Sequence, residues 1–194
     1  DDACKGGERS TADSFRWGML LGERRYEEMV GWSGRLAPYA ALELHDDPHE
    51  VARICNAYLE GHTGVTVRSV WPRVALCACG EREEAMEQWR HMLDDNENIL
   101  WNLEYSMMVL TGRWSPEEAL NAAGVSKIRR SLMHFAIAAR SLYIEGNREA
   151  ARDHFQQCVN YEFFDVDYYY WAQAYLAHLD DPTWPRWLPQ GEEE

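Results

Sequence analysis

The chain is 194 residues long, with 33 acidic against 19 basic side chains (19 − 33 = −14), and is 46% hydrophobic with only 7 prolines and 13 glycines. This composition excludes a collagen-like, low-complexity or wholly disordered chain, and the length suits one compact domain or one repeat array burying about 70% of its unfolded surface. The bases are 17 arginines and two lysines, Lys5 and Lys127, with no stripe of the kind that displaces counterions from a phosphate backbone, so nucleic acid is not expected as a partner. The longest nearly apolar run, Leu132 to Ala139, is far short of the roughly 20 residues that span a bilayer. Five cysteines are an odd number and a chain with a good core needs no staples, which points to a reducing, cytoplasmic compartment. Because the sequence starts at Asp1, a processed secreted or periplasmic form stays open as the alternative.

Taken in chain order, residues 1–10 read as a flexible N-terminal segment, 11–180 as a helical domain, and 181–194 as a proline- and tryptophan-bearing tail with an acidic end. Helix punctuation is dense and alternating β-branched stretches are almost absent apart from Val65-Thr66-Val67, so the chain reads as all-α. Helices are expected in pairs over 12–21 and 25–35, 36–45 and 48–60, 70–79 and 83–93, 97–111 and 116–123, and 127–145 and 147–160. A closing helix is expected over 166–180. Asp47 before Pro48 and Ser115 before Pro116 each place a capping side chain ahead of a proline at the first helical position, where the missing N–H costs nothing. Beyond Asp181 the prolines forbid a further helix, and Trp184 and Trp187 are expected to fold back over the open end of the domain.

Glycines placed to end helices fall at Gly80, Gly112 and Gly146, 32 and then 34 residues apart, and Ala52, Ala85, Ala119 and Ala151 keep step at 33, 34 and 32. Glycine takes the left-handed conformation that ends a first helix, alanine lets the second helix approach closely, and an aromatic one turn later fills the groove between hairpins. Two units show all three: Gly80-x4-Ala85-x3-Trp89 and Gly146-x4-Ala151-x3-Phe155. A period near 34 indicates a solenoid of helical hairpins, five of them plus the closing helix.

The segment from Phe135 through Leu142, Gly146, Ala151 and Phe155 to Cys158 resembles a full tetratricopeptide repeat, and Trp71 through Leu76, Gly80, Ala85 and Trp89 to Met92 is similar. The resemblance covers about residues 65–180. Pro72 near the start of a first helix, the Ser115-Pro116 turn and Tyr105 at a position where the family has a small residue depart from its pattern. The resemblance implies a right-handed superhelical array whose groove binds a peptide or protein through first helices. Counting back from each turn glycine, or from Asp180 in the last unit, the matching groove positions are Asn102 and Ser106, then Met133, Arg140 and Tyr143, then Asp167, Tyr170 and Ala174. Of these, Arg140 and Tyr143 combine a guanidinium fork with a phenol suited to a peptide carboxylate or carbonyl.

Catalytic signatures fail on their spacing. His49-Glu50 opens a zinc-protease motif, but Arg53 stands where the second imidazole must be, and Pro48 separates His45 from His49. Gly31-Trp32-Ser33-Gly34 lacks a residue of the nucleophile elbow and the strand before it, and Lys5 to Thr11 has phosphate-loop residues in the wrong order. Cys77 and Cys79 are two apart, so on a helix they diverge by about 200° and read as small core residues. Tyr168-Tyr169-Tyr170-Trp171 covers every side of a helix, which sends some rings into the core and leaves at least one partly exposed. The expected function is noncatalytic protein–protein interaction, as a scaffold or adaptor, with no metal and no cofactor. A regulatory or assembly portion of a larger enzyme or signalling protein is the second reading, and an all-α enzyme assembled only on folding is the third.

Overall fold

The computed structural model describes residues 80–95, 99, 101–163 and 167–184, together with His49, Ala52, Arg53, Cys55, Asn56, Ala57, Arg73, Val74, Leu76 and Cys77. Among them there is helix and turn and no strand, so the described part of the chain is all-α. The helices expected over 12–21, 25–35 and 36–45, together with Trp187 and the acidic end, lie outside the described residues. The expected helices over 48–60 and 70–79 are represented by helical positions, of which Ala52, Cys55, Val74, Leu76 and Cys77 are buried.

Six helices have defined bounds: α1 Arg82–Asp95, α2 Trp101–Leu110, α3 Pro116–Ala123, α4 Lys127–Tyr143, α5 Arg148–Asn160 and α6 Asp167–His178. Where caps are local, the starts fall where the sequence puts them. Ser115 Oγ accepts from the Glu118 amide at 3.2 Å while the Glu118 carboxylate accepts from the Ser115 amide at 2.8 Å, a reciprocal box with Pro116 at the first helical position. Asn147 caps α5 through the Ala150 amide at 3.0 Å. α2 begins later than expected, since Ile99 is not helical.

Each helix touches its chain neighbours, and α4 also touches both α2 and α6; among the described residues α1 with α3, and α3 with α5, make no contact. α4 is thus the centre of the described fold. The run Ser131 to Ala139 is buried on every side, which is why it reads as almost continuously apolar. Three times along the chain a buried leucine is followed nine residues later by a buried alanine: Leu76 and Ala85, Leu110 and Ala119, Leu142 and Ala151. The leucine fills the space under the turn and the alanine admits the returning helix at close range.

Aromatic rings bind the last three helices together. Phe135 of α4 lies 5.6 Å from Phe155 of α5 and 5.8 Å from Trp171 of α6, centroid to centroid, and Phe155 lies 5.2 Å from Tyr175. Trp184 folds back as expected, 5.4 Å from Tyr175 and 5.3 Å from His178, and covers the end of α6. Arg148 at the start of α5 holds that turn by donating to the carbonyls of Leu179 at 2.9 Å, Asp181 at 2.7 Å and Trp184. No helix among the described residues is long and apolar enough to cross a membrane.

Candidate functional site

The residues expected to line a groove have diverse surroundings. Asn102 is half-buried, and its carbonyl accepts from the hydroxyl of Ser106 at 2.7 Å; Ser106 and Met133 are buried. Tyr143 is buried with its ring set edge-on to Tyr175 at 6.1 Å. Tyr170 is half-buried and perpendicular to Tyr169 at 5.2 Å. Asp167 is the first residue of α6 and Ala174 lies within it; their side chains fall outside the described part.

Arg140 is engaged inside the chain. Its Nε donates to Glu145 at 2.6 Å, and its Nη1 donates at 2.8 Å to the carbonyl of Val109, at the end of α2. That carbonyl lies in the last turn of α2, where the Gly112 amide also donates to it at 3.0 Å. The guanidinium therefore ties the α2 turn to α4, and Tyr143 beside it faces the α6 core.

A different surface has the make-up of a binding site. Trp101 on α2 is the exposed large aromatic of the described residues, and one turn on, Tyr105 stands edge-on to it at 6.0 Å. Trp114, in the turn before α3, stands edge-on to Tyr105 at 5.0 Å. Arg129 of α4 places its guanidinium carbon 5.0 Å from the centroid of Trp101 and 5.8 Å from that of Tyr105. Rings hold the cation through their negative faces, and Arg129 has no ion pair or side-chain hydrogen bond among the described residues, so its N–H edges are unspent. The arginine was visible in the sequence beside Arg130; its meeting with Trp101 was not, because the two belong to different hairpins.

Among the described residues no group of three or more His, Cys, Asp and Glu is placed to hold a metal ion. Burial pushes the thiols of Cys77 and Cys158 up to about 12, which leaves both protonated and poorly nucleophilic. His49 is exposed, while His45 and Cys79 lie outside the described residues. No family model matches the chain, and comparison with curated proteins and with solved structures finds no match either.

Proposed function

We propose that the chain is a noncatalytic protein-interaction module, a tetratricopeptide-like array of antiparallel hairpins that takes a peptide or protein partner on its first helices. The observation that carries this reading is the Trp101, Tyr105 and Trp114 stripe crossed by Arg129, which joins α2, the following turn and α4. Rigid rings bury much area at low entropic cost, and an arginine already held against them loses little freedom when its N–H groups meet a carbonyl or carboxylate. The array is supported by the repeated leucine and alanine pairs and by the contact order, in which α2, α4 and α6 form one row while α3 and α5 stand apart from each other.

The reading is tested by a quantitative pull-down from source-cell lysate with the wild type and with a Trp101→Ala, Arg129→Glu double variant of unchanged circular dichroism. Partners retained by the wild type and lost with the variant support the module and its face. Equal capture by both places the binding face elsewhere, and no capture by either removes the reading.

A further inference from the structure

His134 on α4 and His154 on α5 meet across the hairpin with their Nδ1 atoms 2.9 Å apart and ring centroids at 5.1 Å. His134 is buried and His154 half-buried. Tyr161, just beyond α5, lies along His134 at 5.9 Å, and its hydroxyl accepts from Arg130 Nε at 2.9 Å. Arg130 also donates to the carbonyl of Gly124 at 3.3 Å, at the end of α3. Arg130 thus joins the end of α3 to Tyr161, whose ring lies against His134 at the seam of α4 and α5.

Two imidazoles that face each other through Nδ1 can hold one hydrogen between them. In the neutral pair one ring carries its proton on Nδ1 and the other on Nε2. A first added proton goes to the free Nε2 of the donor ring, and the Nδ1–H···Nδ1 bond survives. A second puts hydrogens on both facing nitrogens across 2.9 Å, with two positive charges, and the rings must part.

We propose that His134 and His154 form an acid-sensitive latch, which holds α5 on α4 at neutral pH and releases it once both rings are protonated. The charged groups around the pair set the order of events. Burial lowers His134, with His154 and then Arg130 adding to it, to about 4; burial also lowers His154, opposed by Asp153. The first proton belongs to His154 beside its carboxylate and the second to His134 beside Arg130. The remaining groups are occupied elsewhere: Arg152 of α5 pairs with Asp180 at 2.8 Å, Tyr168 of α6 donates to the Ile128 carbonyl at 3.3 Å, Glu118 of α3 caps its own helix, Tyr105 of α2 packs on Trp114, and Glu104 and Glu117 are exposed. Both imidazoles bind protons more weakly closed than open. The latch is at full strength above the free value of 6.5 and loses strength as pH falls from there towards about 4.

The test is amide hydrogen exchange on the whole chain at about pH 7 and about pH 4.5, corrected for intrinsic rates, with the wild type and a His134→Asn, His154→Asn double variant whose amides do not titrate. Each pH unit below the free value weakens closure by up to tenfold per ring, so protection in α5 should fall at least about tenfold relative to α2 and α3 in the wild type. The double variant should show no such relative loss. Unchanged α5 protection, or a uniform loss over every helix, overturns the latch. If the variant does not fold, NMR titration of the wild-type rings decides: two linked steps with His134 the lower support it, and two independent transitions near 6.5 overturn it.

Discussion

Arg140 and Gly112 occupy each other's space: a Cβ on Gly112 would stand 2.7 Å from Arg140 Nη1, the same nitrogen that donates to Val109. Gly112 also sits at φ +74, which disfavours any side chain. Gly112→Ala should therefore cost about 2–3 kcal/mol, combining left-handed strain with a lost cap, against about 1 kcal/mol for Gly80→Ala or Gly146→Ala. Around those two glycines no atom lies within 4 Å of the new Cβ. Urea denaturation of the three variants checks the order, and equal losses would show that Arg140 yields freely.

Arg148 and Trp184 are expected to act as one unit. Arg148→Ala removes the guanidinium that donates to three carbonyls of the closing turn, of which that of Asp181 keeps the Trp184 amide at 3.1 Å, and Trp184→Ala removes the ring that covers Tyr175 and His178. Each should cost about 2–4 kcal/mol, and the double variant should cost clearly less than their sum. A double-mutant cycle on thermal unfolding measures the coupling; additive losses would mean that the tryptophan docks without the arginine.

Ala151 of α5 has no exposed surface. Ala151→Trp should force the hairpin apart and cost more than about 2 kcal/mol by overpacking. An unfolding midpoint close to that of the wild type would argue against the packing register that joins Ala85, Ala119 and Ala151.

Cys158 and Cys77 should resist thiol reagents in the folded protein. With both thiols pushed up to about 12, on the order of one molecule in ten thousand carries a thiolate at pH 8. Labelling followed by peptide mass spectrometry should mark neither residue in buffer and both in urea. Fast labelling of Cys158 without denaturant would show that the α4 and α5 seam opens at neutral pH.

The local elements were legible because their causes are local. Ser115 with Pro116 and the glycine and alanine spacing each act within a few residues, so the start of α3 and the helical character of the described residues follow from the order of residues. The return of Trp184 over the end of α6 was legible for a similar reason, since an apolar end must be covered and the prolines permit a turn there. The residues expected to line a groove were legible only as positions along a helix. Position does not say whether a side chain is already taken, and Arg140 is taken by Val109 and Glu145.

The sequence by itself determined that this protein is acidic and helical in its described part, with turn glycines and small residues spaced near 34, since composition and spacing act through backbone preference and helix faces. Tertiary structure alone decided which side chains meet: Arg129 with Trp101, and His134 with His154. These partners lie on different helices, and their meeting depends on how far each helix is rotated and shifted against the next. That is set by the summed packing of Phe135, Phe155, Tyr175 and the buried alanines, which no short stretch of sequence contains.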